Sequence, residues 1–394
     1  MVQPEFKDFN FVVNGTEKFY VLSKGKKYLD FTGSAMTTGY NFIKPSWLIS
    51  PVSKLVFKNP YTEKLKDMLT RSSGFDKIAF TTSGTEACDA ALSRFGPTFV
   101  SFEGAYHGLT YITKIVSNGT GIDKENRVVH LIYPNRSISD DNAIEMNEGI
   151  ISDARKDLKM DGSSIIVELI QSDGGVNIMT SKFANYISEI VSEYNMHLII
   201  DEVYTAYGRS GELFLFKKYN LSPEMVCVGK GMAAGLPAGA VLYNGDWTLP
   251  HNEVISMQSA NMFVGRIGVE VLKRLNEKRL EFIRDNGKSI IEAIRNIKGE
   301  KIIDVRGRGF MIGVELTDTA TAYNIRNKLE KKGVLCSLVG EKNNVLKITP
   351  PAFIDELTLK KGIKVIISTL NELSDENENK GDVKNDRENE KIRL

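Results

Sequence analysis

Lys230 stands in a run of small residues, Gly229-Lys-Gly-Met-Ala-Ala-Gly-Leu-Pro-Ala-Gly, and Asp201 closes the apolar run His197-Leu-Ile-Ile, 29 residues upstream. A primary amine among small residues and a carboxylate at a strand end are what pyridoxal phosphate chemistry requires. The amine holds the cofactor's aldehyde as a Schiff base, and the acid keeps the ring nitrogen protonated so that the ring draws electrons from a substrate carbon. Each residue alone has an ordinary explanation. Most lysines are solvated surface charges, and many strand-end aspartates cap the next helix. The pair gains its meaning from its surroundings.

Thr81-Thr-Ser-Gly-Thr-Glu-Ala lies between a strand at Ile78 and a helix from about Thr85. A small-residue loop entering a helix presents backbone N–H groups and the positive helix end, so Ser83, Gly84 and Thr85 suit a phosphate. The same residues serve equally well as a plain N-cap, and the Gly-x-Gly-x-x-Gly spacing of a dinucleotide site is absent. Ala105-Tyr-His-Gly follows the next strand, and Tyr106 there either stacks on a flat heteroaromatic ring or packs as a loop tyrosine. Val203, two residues after Asp201, is placed to cover the ring face opposite Tyr106. In an open α/β sheet Lys230 falls in a crevice at the strand ends, where ligands bind.

These pieces need a scaffold, and the hydrophobic pattern supplies one. Phe19-Tyr-Val-Leu and Lys27-Tyr-Leu-Asp-Phe flank a Ser-Lys-Gly-Lys turn and read as a hairpin. From about residue 60, short apolar strands alternate with helical segments: Lys77–Thr81, Thr98–Phe102, Ser164–Ile170, His197–Asp201, Met225–Gly229 and Ala238–Leu242. That alternation predicts a mostly parallel sheet covered on both faces. A long helical stretch from about Gly265 to Lys298, a strand Arg306–Leu316, a helix Ala320–Lys332 and a last α/β piece ending near Leu373 read as a smaller α+β domain that takes in the N-terminal hairpin. The expected division is a large domain over 45–250, a small domain from 1–44 and 251–373, and a charged tail over 374–394. The tail is too poor in apolar residues to offset its ordering entropy, so it is expected to be disordered or a frayed helix.

The 394 residues include 51 basic and 50 acidic side chains, for a formal charge of +1, with 42% hydrophobic residues. This balance gives no basic field for nucleic acid or a membrane surface. No run of 18 apolar residues occurs, and the N-terminus lacks an apolar leader, which together predict a cytoplasmic protein. Three cysteines, Cys88, Cys227 and Cys336, and four scattered histidines fit neither a disulfide framework nor a metal site.

In this order the motifs resemble the class III (subgroup II, ornithine/ω-amino acid type) aminotransferases of pyridoxal-phosphate fold type I. The runs that carry the resemblance are Phe80-Thr-Thr-Ser-Gly-Thr-Glu-Ala, Ala105-Tyr-His-Gly, Glu168-Leu-Ile-Gln-Ser-Asp-Gly-Gly-Val, Leu198-Ile-Ile-Asp-Glu-Val-Tyr-Thr-Ala-Tyr-Gly-Arg-Ser-Gly, the Lys230 run, Val305-Arg-Gly-Arg-Gly-Phe-Met-Ile-Gly and Val345-Leu-Lys-Ile-Thr-Pro-Pro. The likeness spans about residues 17 to 370. It implies a large domain built on a seven-stranded, mostly parallel sheet, with pyridoxal 5'-phosphate as cofactor. Lys230 then becomes the Schiff-base lysine and Asp201 the partner of the pyridine nitrogen. Ser83, Gly84, Thr85, Tyr106, His107, Glu168 and Val203 become cofactor-binding residues. A homodimer with shared active sites is also implied, in which Ser259 or Ser256 stands in for the threonine that reaches the neighbouring subunit's phosphate.

The resemblance implies transfer of an amino group between an amino acid or ω-amino compound and a 2-oxo acid or aldehyde. Racemisation, epimerisation and aminomutation use the same lysine and aspartate, and a non-catalytic homologue keeps the same fold. Three positions depart from the family pattern. Tyr204 replaces a common glutamine, Asp173 stands where a glutamate often gates the pocket, and Lys347 replaces an arginine that binds a substrate carboxylate. A lysine cannot form the arginine's planar fork. Arg209, Arg266, Arg306 and Arg308 are the expected substitutes for it.

Overall fold

A computed structural model describes residues 9, 11, 13, 15–33, 38, 39, 43, 58–96, 98–245, 256 and 258–390, with side chains as far as Leu373. The expected domain division points at 44/45 and 250/251 lie outside the described residues, as do residues 1–8 and 391–394.

The large sheet has eight strands. In spatial order they are Lys77–Thr81, Gly239–Tyr243, Met225–Val228, His197–Asp201, Ser164–Glu168, Phe99–Phe102, Val128–Leu131 and Gly121–Asp123. The last is a three-residue edge strand beyond the seven expected. The central strands pair parallel, with Asp201 level with Glu168 on one side and Cys227 on the other. Gly239–Tyr243 runs antiparallel to both its neighbours. The physical reason is the short connection from Val228, which holds the Lys230 turn and lacks the long crossover that a parallel return requires. Strands buried along their whole length, such as Ser164–Glu168 and Met225–Val228, explain why the sequence shows continuous apolar runs instead of alternation.

Three smaller sheets complete the fold among the described residues, one of them only Ile170–Gln171 paired antiparallel with Asn177–Ile178. Ile302–Arg308, Met311–Leu316, Val345–Ile348 and Ser337–Val339 form an antiparallel sheet. The single strand expected over Arg306–Leu316 is thus a hairpin, turned at Gly309 with φ +57°. The N-terminal hairpin, Tyr20–Ser23 with Lys26–Asp30, forms as expected and pairs parallel with Val334–Leu335, far along the chain. The long helix expected from Gly265 to Lys298 is two helices, Met262–Arg274 and Glu277–Arg295. Asn276 ends the first and caps the second by accepting the Arg279 N–H at 3.0 Å. Met262–Arg274 packs along Pro60–Ser73, with Gly265 and Gly268 set against Thr62 and Leu65. The closing helix is Glu356–Glu390, so the backbone over 374–390 continues a helix whose last described core side chain is Leu373. No described helix is long and apolar enough to cross a membrane.

Candidate active site

The C-terminal ends of the parallel strands converge on one cleft. It is a small cleft of about 40 Å³, lined by Thr85, Tyr106, His107, Glu168, Ser172, Asp173, Asp201, Val203, Tyr204 and Lys230. Seven of these are residues expected from the sequence; Ser172, Asp173 and Tyr204 join them.

Asp201 is 5% exposed at the end of its strand, and its two oxygens meet three donors. The Val203 N–H reaches Oδ1 at 2.9 Å. His107 Nδ1 lies 2.7 Å from Oδ2, and the Cys88 thiol donates to the same oxygen at 3.5 Å. An ionised carboxylate only accepts, so the imidazole donates from Nδ1. Cys88 had no assigned role in the sequence reading. Its position four residues after Gly84 on the helix Gly84–Leu92 puts both on one face, and that spacing is the signal that could have found it. A hydrogen bond with Cys227 pushes the Cys88 thiol up, with burial and the Asp201 charge adding to the rise, so it stays a protonated donor.

Glu168 lies beside Asp201 in the ladder and accepts the N–H groups of Tyr106 at 3.1 Å and Ser172 at 3.2 Å. Burial pushes its carboxyl up to about 7, with the Asp201 charge adding to the rise and His107 opposing it. Lys230 opens a single helical turn, Lys230–Ala233, directly after the strand Met225–Val228. Its φ of +34° lies in the left-handed region, a strain of about 1–3 kcal/mol that a surrounding structure must impose. Gly229, whose Cβ position would crowd the Gly84 backbone, lets this turn approach the helix start.

Ser83 caps that helix by accepting the Glu86 N–H at 3.1 Å, so the capping role left open by the sequence is real. The first-turn N–H groups of a helix have no intrahelical partner, and those of Gly84 and Thr85 are the ones a phosphate would take. A Cβ on Gly84 would overlap the Val203 methyls, so glycine is what brings the helix start close to that side chain.

The far side of the cleft is built differently, on Ser172 and Asp173, with Lys347 buried behind them and not itself lining the cleft. The Lys347 ammonium, on the strand Val345–Ile348, donates to Asp173 Oδ1 at 3.0 Å and Ser172 Oγ at 3.1 Å. Burial works against the Asp173 charge, but Lys347 and then Lys230 hold its carboxyl below the usual range. The four arginines expected to replace the missing fork are committed elsewhere. Arg209 donates to the carbonyls of Phe310 and Pro350, and Arg306 to Gly175, Asp304 and Glu315. Arg266 donates to Tyr61 and Arg308 to Glu212. None of the four lines the cleft. Ser259 does not line it either; its hydroxyl donates to the Ser256 carbonyl at 2.6 Å within a turn.

The donor set fits pyridoxal phosphate. A pinned carboxylate stands at a strand end for the ring nitrogen, with a primary amine across the cleft. A glycine-led helix start stands ready for the phosphate, with a branched aliphatic side chain against it for the ring. The residues match the class-III aminotransferase family model from residue 3 to residue 370. This chain belongs to the class-III aminotransferase family. The acetylornithine aminotransferase of Aquifex aeolicus is 29% identical over 379 residues, covering 91% of this chain and 96% of that one. Among solved structures, the PMP-bound aminotransferase of Vibrio fluvialis shares the fold with a TM-score of 0.77 at 20% identity, over 92% and 93% of the two chains. The ornithine aminotransferase of Toxoplasma gondii, crystallised with PLP at partial occupancy, gives 0.76 at 20% identity, over 94% and 92%. The family is pyridoxal-phosphate dependent, and the protein is an aminotransferase.

Proposed function

We propose that this aminotransferase holds pyridoxal 5'-phosphate through Lys230 and moves an amino group between an amino acid or ω-amino compound and a 2-oxo acid or aldehyde. The observation that carries the proposal is Asp201, a buried carboxylate with three fixed donors, facing Lys230 across a cleft that also contains a helix start. When bound, the cofactor supplies a protonated pyridine ring that withdraws electrons from the carbon bearing the substrate's amino group.

The chain's own residues do the rest. Asp201 faces the ring nitrogen, held in place by the Val203 N–H, His107 and Cys88. Gly84 and Thr85 take the phosphate and Ser83 steadies their helix turn. Val203 and Tyr106 cover the two faces of the ring. Glu168, pushed up to about 7 by burial, ties the Tyr106 and Ser172 backbones to the same spot. Lys230 would hold the cofactor's aldehyde, and its Nζ would be the group that takes and returns a proton. Lys347 receives a substrate carboxylate in place of Asp173. A homodimer in which Ser259 reaches the neighbouring subunit's phosphate completes the reading. The N-terminal hairpin and the residues from 251 act together as the smaller domain. A reducing, cytoplasmic setting suits the three buried free thiols.

The test is borohydride reduction of protein saturated with pyridoxal phosphate, followed by peptide mapping. The label is expected on Lys230. A label on Lys347, the other lysine beside the Tyr204 ring, would overturn the assignment.

A further inference from the structure

Tyr204 stands where three cations meet. Lys230 Nζ lies 4.5 Å from its ring centre, Lys347 Nζ 5.0 Å and Arg209 Cζ 5.6 Å. Burial alone would push the phenol up, but Lys347, Arg209 and Lys230, with a hydrogen bond to the Thr349 side chain, hold it below the usual tyrosine range. The ring is fixed at both ends. Its backbone follows Val203 in the turn after Asp201. Its hydroxyl lies between Thr349 and Gly33, where a Cβ on the glycine would overlap the oxygen. Thr349 is in turn bonded to the Phe31 carbonyl through its N–H at 2.9 Å and its hydroxyl at 3.1 Å.

Lys347 lacks what an arginine has, a planar fork that sets its own direction, and it carries its charge on a flexible four-carbon stem. Two kinds of contact hold the ammonium: the bonds to Asp173 and Ser172, and the face of Tyr204. A carboxylate arriving at Lys347 displaces Asp173, whereas the ring contact survives, because an aromatic face attracts a cation without occupying its acceptor-facing side. We propose that Tyr204 is the positioning residue for Lys347, its ring giving a flexible ammonium the fixed direction needed to receive a substrate carboxylate, with Gly33 leaving the space that lets the ring lie there. The inference deepens the proposed function, since it rests on Lys347 being the carboxylate end of the cleft.

The experiment is an NMR titration of protein saturated with pyridoxal phosphate, using pentanoate, a carboxylate with no amine to react. Pentanoate is expected to bind the native protein, and Lys347→Met to abolish that binding. Tyr204→Phe, which keeps the ring, binds within about twofold of native, whereas Tyr204→Leu weakens binding about tenfold, the scale of a partly desolvated cation–π contact. Gly33→Ala, whose Cβ would crowd the Tyr204 and Thr349 hydroxyls, displaces the ring from its far end and gives the same loss, with circular dichroism confirming that each variant folds. Native binding that is absent, Tyr204→Leu or Gly33→Ala binding like native, or Tyr204→Phe losing as much as Tyr204→Leu would each overturn the proposal. Borohydride labelling of the same protein shows separately whether the cofactor assignment to Lys230 has failed.

Discussion

The two ends of the cleft are each centred on a carboxylate, yet they are built on opposite principles. Asp201 is held by short reaches at the C-terminal end of a central strand: a backbone N–H two residues on, a histidine and a thiol. Asp173 is held by one long lysine from a different sheet, and its side chain is about a third exposed. The first arrangement has no slack and leaves the carboxylate nothing to do but stay charged. The second is an ion pair that an incoming carboxylate can replace. The contrast separates a site meant to keep one permanent occupant from a site meant to exchange occupants.

The largest effect is expected at the fixed end. Asp201→Asn puts an amide N–H₂ or a neutral oxygen against groups that all donate, and removes the charge opposite the ring nitrogen. Turnover should fall roughly a thousandfold, the scale of losing a preorganised electrostatic partner. Single-turnover kinetics with any active amino donor measure it, with circular dichroism confirming the fold. Near-native turnover would mean that the fixed end is not where the electron demand is met.

The exchangeable end should respond more mildly and selectively. Because no arginine lines the cleft among the described residues, glutamate is expected to be a poor donor beside an ω-amino or neutral one. Lys347→Arg should raise the specificity constant for glutamate relative to a neutral amino acid by about tenfold, about what one added charge-assisted hydrogen bond is worth. Steady-state kinetics on the two donors decide it. A native preference for glutamate, or an unchanged ratio in the variant, would show that Lys347 does not read the carboxylate.

The smallest effect concerns Glu202, next in the chain to Asp201. It is fully buried and accepts the N–H groups of Leu215 at 2.9 Å and Phe216 at 2.6 Å and the Thr205 hydroxyl at 3.0 Å. Burial pushes its carboxyl up to about 7 despite those donors. The folded state therefore holds a proton that the unfolded chain releases near pH 4.5, and stability falls as pH rises from there through about 7. Glu168 acts with the same sign. Glu202→Gln should flatten, without abolishing, the drop in melting temperature between pH 5 and 8, by about a few degrees. A drop as steep as the native one would exclude Glu202 as its source.

Much of the fixed end could be read in advance because it is local. Asp201, Val203 and Lys230 sit at ends of apolar runs, and Ser83 and Gly84 sit at a strand-to-helix step, so periodicity and turn chemistry alone locate them. The orientation of Gly239–Tyr243 was less legible, because strand direction depends on the length of the connection and leaves no mark on the apolar pattern. The break at Asn276 shows the same limit in helices: one capping side chain divides a stretch whose hydrophobic period continues across it.

What the sequence determined by itself is the parallel α/β core and the placing of an amine, a carboxylate and a helix start at strand ends. Only the tertiary structure decided that His107 and Cys88 pin Asp201, that Asp173 answers Lys347, and that Arg209 is bonded to the Phe310 and Pro350 carbonyls and Arg306 to Gly175, Asp304 and Glu315. It also brought Gly33 from the N-terminal hairpin against Tyr204. The reason is physical. Strand and turn preferences act over a few residues, whereas which charges meet depends on strand order, on register and on the directions of long side chains, and these are set when distant segments pack.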